Sequence, residues 1–139
     1  GMKILQFAFD SGPDNPYLPH NLPRCCVVYT GTHDNATTLG WWQALPHQAQ
    51  QRVADYLGRP TPDMPWDLIH TAMTSVANTC ILPLQDVLGL DDGARMNRPG
   101  HPEENWCWRF DPAALNDALA RRLLHLNQLS GRVGAATAK

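Results

Sequence analysis

The chain has 139 residues, with 11 Lys and Arg against 13 Asp and Glu, a formal charge of −2 at pH 7. That balance leaves no electrostatic footprint for nucleic acid or an anionic membrane, and no apolar run approaches the ~20 residues of a membrane span. The four cysteines, Cys25, Cys26, Cys80 and Cys107, form no Cys-x-x-Cys pair and are too sparse for a secreted disulfide scaffold. They are expected to be buried or half-buried thiols.

Lys3 to Phe9 (KILQFAF) is a short apolar run and predicts a buried strand. Asp10 to Pro23 holds four prolines, a glycine and two asparagines and is irregular. A loop of that length inside a compact domain is more often functional than idle. Cys25 to Thr30 predicts a second buried strand, running into Gly31, which lets the chain turn sharply. If Cys25 and Cys26 lie in that strand, they point to opposite faces.

Thr37 to Ala44 predicts a helical turn, and Pro46 to Leu57 a helix with Ala49, Val53, Tyr56 and Leu57 on one face. After a Pro- and Gly-containing break over Gly58 to Met64, Pro65 to Val76 predicts a further helix. Cys80 to Leu84 predicts a third buried strand ending at Gln85-Asp86. Leu88 to Glu104 is turn-rich. Pro112 to Leu129 predicts the last helix, with Asp111 as N-cap, a leucine stripe at 115, 119, 123, 126 and 129, and Gly131 as a stop. Val133 to Lys139 carries no pattern and is expected to be a disordered tail.

Buried strands separated by helices argue for parallel pairing and an α/β fold. The polar residues follow the C-terminal ends of the strands, where an α/β barrel keeps its active site. Three strands are too few to close a barrel of eight.

Three stretches carry chemistry. In VVYTGTHDNATTLGWW, Val27 to Trp42, His33 and Asp34 project from a loop beside two tryptophans. A carboxylate can take two hydrogen bonds from neighbouring sugar hydroxyls, and an aromatic face can pack on a pyranose ring. The alternative is that Asp34 and Asn35 cap the helix over Thr37 to Ala44. In Ala94 to Gly100 and Asn105 to Arg109, Asn97 and the Trp106-x-Trp108 pair could wall a carbohydrate cleft or form an ordinary loop. Gln85-Asp86 could bind a ligand or hold the rim together. His20, His47, His70, His101 and His125 lack ligand-type spacing, so no metal is expected.

TGTHDN-x-TTLGWW resembles the most characteristic stretch of glycoside hydrolase family 77, the amylomaltases. KILQFAF with DNPYLPHN, ILPLQDVLGL, ARMNRPG and NW-x-WRF are similar to that family in the same order. The resemblance covers Gly1 to about Arg132 and implies that residues 1–132 are the C-terminal portion of a (β/α)8 TIM barrel. It implies a cytoplasmic enzyme without cofactor. Such an enzyme moves α-1,4-glucan segments to the 4-hydroxyl of glucose or maltooligosaccharides by a retaining mechanism. It implies Asp34 as the transition-state stabiliser, with His33, Phe7 and Asn97 binding substrate. The nucleophile and the general acid/base would lie on strands upstream of Lys3, so the chain alone is expected to be inactive. The alternative is a non-catalytic α-glucan-binding remnant.

Overall fold

The computed structural model describes residues 1–133; residues 134–139, most of the expected tail, lie outside the described residues. Three short strands, β1 (Met2–Ile4), β2 (Val27–Tyr29) and β3 (Thr79–Ile81), form one sheet in the order β1-β2-β3. Both pairings are parallel, as the alternation of apolar runs and helices predicts. The connection from β1 to β2 is the Pro-rich loop. The connection from β2 to β3 carries α1 (Thr38–Ala44), α2 (His47–Leu57) and α3 (Trp66–Thr74). A one-turn helix α4 (Leu84–Val87) and the long α5 (Asp117–Leu129) follow β3.

The strands are shorter than the apolar runs. Leu5–Phe7 turns into a 3-10 helix directly after Ile4, because Gln6 and Leu5 must both be buried at the strand end. A strand's two-residue alternation would send one of them outward. Likewise Leu84 begins α4 rather than ending β3.

Register puts Ile4, Tyr29 and Ile81 in one row across the sheet, and Lys3, Val28 and Cys80 in the next. Val28 is fully buried in the main core with Leu5, Val53 and Leu68. The Ile4–Tyr29–Ile81 row lies on the opposite face and lines an open cavity. The strands are therefore covered on one face only, where both were expected to be buried, and Ile81 stays 45% exposed.

The glycine stops hold, while two helix bounds move. Gly58 closes α2 in the left-handed region, and its N–H reaches back to the helix, as glycine does without a Cβ penalty. Helix α3 stops at Thr74, so Val76 falls outside it and is 56% exposed. Asp111 caps a separate 3-10 turn, Pro112–Ala114. The cap of α5 is Asn116, whose side chain accepts from Leu119 N. Of the leucine stripe only Leu126 is buried, against Ile69 and Met73 of α3, while Leu115 and Leu129 are exposed. Gly131 does end the last helix with positive φ. Just beyond it, Arg132 donates to the carbonyls of Met73, Ser75 and Ala77 at 2.7, 3.2 and 2.8 Å, tying the end of α5 to the end of α3.

Two side-chain amides order the Pro-rich loop, Asn21 donating to the carbonyls of Pro13 and Asn15 at 2.7 and 2.9 Å. Asn15, 5% exposed, donates to the Phe7 carbonyl at 2.8 Å, to Asp10 Oδ1 at 2.9 Å and to Ser11 Oγ at 3.0 Å. Its own oxygen accepts from Tyr17 N. Buried amides are retained when their capacity is filled in this way.

The element junctions meet at Asp86, which is 1% exposed. Its Oδ2 accepts from Thr30 Oγ1 at 2.5 Å and Thr38 Oγ1 at 2.7 Å, and its Oδ1 accepts from Thr38 N at 2.7 Å. One carboxylate thus joins the end of β2, the first turn of α1 and α4. Gln85 beside it donates to the Ala94 carbonyl. Both residues of the pair hold the rim together. Burial pushes the Asp86 carboxyl above its ordinary range, and the hydrogen bonds from Thr30 and Thr38 offset that only in part.

Asp86→Ala strands a buried N–H and two hydroxyls, and is expected to cost about 3 kcal/mol or more of stability by denaturant melts. Asp86→Asn is expected to cost less than about 1.5 kcal/mol, because its oxygen still accepts from Thr38 N and its NH2 faces hydroxyls able to accept. Because the folded pKa is raised, the wild type gains stability over Asp86→Asn as pH falls from that raised value towards the unfolded value of about 3.9. It loses the same increment as pH rises through the folded pKa. A flat difference across that window would contradict this reading.

A second contact fixes α1. A Cβ on Gly40 would sit 2.6 Å from Asp92 Cβ and 2.9 Å from Asp92 N, with the backbone leaving no room to yield. Helix propensity alone favours Gly40→Ala by about 1 kcal/mol. The close approach predicts the opposite sign, a loss of about 1–3 kcal/mol, which a melt of the single variant decides.

Candidate functional site

The cavity on the open face of the sheet, about 590 Å3, is lined at its floor by Ile4, Tyr29 and Ile81 and at its rim by residues 31–37, Arg95 and Met96. Its polar groups follow the C-terminal ends of the strands, the end at which an open parallel sheet binds ligands.

The segment after β2 makes the rim. Gly31 is not in the left-handed region; it is glycine because a Cβ there would meet Gln6 Nε2 at 2.5 Å. That amide crosses over it to donate to the Ala36 carbonyl at 3.0 Å. Asn35 Oδ1 accepts from Thr32 N at 2.9 Å and Thr32 Oγ1 at 2.6 Å, closing the loop on itself. Thr37 is the N-cap of α1, its hydroxyl accepting from Gly40 N at 3.1 Å. Neither Asp34 nor Asn35 caps this helix. Asp34 is left free of structural duty on its own element and projects outward, its side chain 52% exposed.

The chain after α4 returns to hold Asp34 from the other side. Asn97 Nδ2 donates to Asp34 Oδ1 at 2.6 Å. Arg95 donates to the Asp34 backbone carbonyl at 2.7 Å and to the Asn97 carbonyl at 2.9 Å. His33 Nε2 lies 3.2 Å from the same Oδ1. Asp92 accepts from Arg98 at 2.9 Å and has Arg95 at 3.9 Å, so the two arginines share one anchor. The other Asp92 oxygen is buried without a partner.

His33, Asp34 and Asn97 are thus brought together, although His33 and Asn97 are 64 positions apart in sequence. Phe7 lines the same cavity from the turn after β1. It is 40% exposed, set edge-on against Tyr17 at 5.7 Å, with its carbonyl held by Asn15.

The aromatic walls differ from expectation. Trp41 and Trp42 are packed against the main core, Trp41 with its ring 6.1 Å from Phe9, because α1 turns that face inward. Trp106 instead reaches the site, its ring 5.1 Å from His33. Trp108 points to a separate groove with Trp66 and Phe110. The sequence leaves Arg95 without a role and offers Trp106 only as one of two tryptophans that could wall a cleft. The ARMNRPG and NW-x-WRF stretches held them, but neither shows which side chain turns towards Asp34.

The cysteines stand apart from this chemistry. Cys25 and Cys107 are exposed, correcting the expectation of buried or half-buried thiols, while Cys26, in the bend before β2, is buried. Burial pushes the Cys80 thiol up to about 11, with Arg132 opposing the shift. A thiol so disposed is a poor nucleophile. Among the described residues no helix is long and apolar enough to cross a membrane.

The 4-alpha-glucanotransferase family model, glycoside hydrolase family 77, matches residues 1–115. A 4-alpha-glucanotransferase of Synechocystis is 50% identical over 134 residues, 95% of this chain and 26% of that protein. The Thermus thermophilus 4-alpha-glucanotransferase is 48% identical, over 96% of this chain and 28% of that protein. A chloroplastic/amyloplastic 4-alpha-glucanotransferase of Oryza sativa subsp. japonica is 48% identical over 94% of this chain and 22% of that protein. Among solved structures, the amylomaltase from Streptococcus agalactiae in complex with acarbose superposes with a TM-score of 0.90 at 30% identity, over 96% of this chain and 28% of that one. The chain therefore spans about a quarter of the length of the relatives it matches. With the family match running from β1 through the His33–Asp34 rim and past Asn97 to the start of the last helical segment, the chain belongs to the 4-alpha-glucanotransferases of glycoside hydrolase family 77.

Proposed function

We propose that this chain forms the C-terminal strands of a (β/α)8 barrel that transfers α-1,4-glucan segments to the 4-hydroxyl of glucose or maltooligosaccharide acceptors. The observation that supports it most directly is the Asp34 carboxylate. It is exposed in an apolar-floored cavity at the strand ends and is gripped through Oδ1 by Asn97. An enzyme of this family in which 28% of the chain superposes on the present one carries acarbose. The two outer edges of the sheet, on β1 and β3, suit continuation into further strands, since unpaired edges are otherwise liable to aggregate.

In the proposed mechanism a carboxylate nucleophile attacks the anomeric carbon while a general acid protonates the leaving oxygen. The acceptor hydroxyl then reverses the step with that acid acting as base. Both groups belong to residues outside this chain. Asp34 contributes charge. Its negative oxygen stabilises the positive character that develops on the sugar ring, and acts best where the donor geometry is fixed beforehand. His33 donates to a hydroxyl of the same glucose. Phe7 offers an apolar face on the acceptor side. Asn97 orients Asp34 through its side-chain amide.

The test is maltotriose disproportionation by the native polypeptide that carries this segment. Glucose and longer maltooligosaccharides are expected, and Asp34→Asn is expected to lower kcat by about 100-fold or more with the fold intact. Phe7→Ala is expected to raise the acceptor KM while leaving donor cleavage less affected. The 139-residue chain alone is expected to release no glucose. Product from the isolated chain, or full activity in Asp34→Asn, would sink the proposed roles. Glucan binding without turnover by the native polypeptide would leave a non-catalytic glucan-binding role.

A further inference from the structure

Trp106 occupies a backbone conformation that bulky residues avoid, φ 64°, and Glu104 two positions earlier has φ 63°. Such outliers persist only when the surroundings over-determine them. The surroundings here are specific. Asn105 Oδ1 accepts from Arg98 N at 2.8 Å, and its amide donates to the His101 carbonyl at 2.5 Å. Trp106 N donates to the carbonyl of Met96, a cavity residue, at 2.8 Å. Arg109 donates to the Trp106 carbonyl at 3.1 Å. With the backbone so braced, the indole, 54% exposed, lies against the His33 ring at 5.1 Å and 44°.

The same loop grips the neighbouring residue twice, Arg95 on the Asp34 carbonyl and Asn97 on Asp34 Oδ1. The contacts to the Asp34 carboxylate fall on Oδ1, from Asn97 and from His33; among the described residues none falls on Oδ2. An exposed imidazole on a loop would ordinarily sample several rotamers. Here a flat aromatic face lies on one side of it and a carboxylate on the other.

We propose that Trp106 is a positioning residue for His33, and that the 95–106 loop as a whole presets the His33–Asp34 pair so that Asp34 Oδ2 is the oxygen presented to the sugar. The geometric part stands by itself; its kinetic consequence rests on the transferase reading above. Trp106 fixes the imidazole before substrate arrives, so that its hydrogen bond to a glucose hydroxyl needs no reordering during the reaction. Trp108, two residues on, faces the other groove and has no such part.

The test uses the native polypeptide with 13C-labelled histidine rings, the His33 signal being assigned by its disappearance in His33→Gln. In the wild type a nuclear Overhauser contact between the indole and His33 ring protons is expected, with those protons shifted by the indole ring current. Trp106→Leu is expected to abolish the shift and lower kcat/KM by about tenfold or more. Trp106→Phe is expected to restore most of both, and Trp108→Leu to leave the His33 signal in place. A wild type without the contact overturns the proposal. So does Trp106→Leu with an unmoved His33 signal, or a folded Trp106→Phe as impaired as Trp106→Leu. If Trp106→Leu does not fold, the wild-type contact and Trp106→Phe decide. A present contact in a polypeptide with no transferase activity sinks the transferase reading and leaves the positioning of His33 standing.

Discussion

Everything at the rim of this sheet depends on the buried carboxylate of Asp86. A charged side chain at 1% exposure is tolerated only because three donors converge on it. Those donors come from two elements, the last residue after β2 and the first turn of α1. The carboxylate itself rides on α4. Its three bonds therefore fix where the 31–37 rim can run between its two ends. Burial still wins over the hydrogen bonds in raising its pKa, so the network is a device for specifying geometry more than a source of stability.

The rim so fixed carries its chemical residues without using them for structure. Asn35 and Thr37 do the local work of closing the loop and capping α1. Asp34, directly before Asn35, has no such duty. It is held instead by a segment that arrives from beyond α4, through Arg95 and Asn97. Separating the residues that build the loop from the residue the loop presents lets Asp34 stay exposed and oriented at once. Asp92 extends the arrangement: it packs against Gly40 of α1 and holds Arg98, with Arg95 nearby. The returning segment is thus referenced to the helix that the rim begins.

The two faces of the sheet divide the labour further. Val28 and its neighbours seal one face with α-helices, and the Ile4–Tyr29–Ile81 row leaves the other open as the cavity floor. An apolar floor with polar groups at one rim suits a sugar. Under the proposed function, the ring's C–H faces lie on aliphatic and aromatic carbon while its hydroxyls reach His33 and Asp34.

The sequence by itself determined the parallel α/β class, the positions of the three strands, and the extents of α1, α2 and most of α3. These follow from apolar periodicity and from Pro and Gly punctuation, both local properties of the chain. It also determined that His33, Asp34, Asn97 and Phe7 were the residues to watch, through motifs that keep their order. Only the tertiary structure decided that the strand runs break after three residues, because Gln6 and Leu5 must both go inward. It alone decided that Trp41 and Trp42 serve the core while Trp106 serves the site, since the side a tryptophan faces depends on how its element packs. The meeting of Arg95, Asn97 and Trp106 with the His33–Asp34 pair was invisible for the same reason. It joins segments about 60 or more positions apart, and no local pattern encodes which of many polar side chains a folded chain will bring within 3 Å of a given carboxylate.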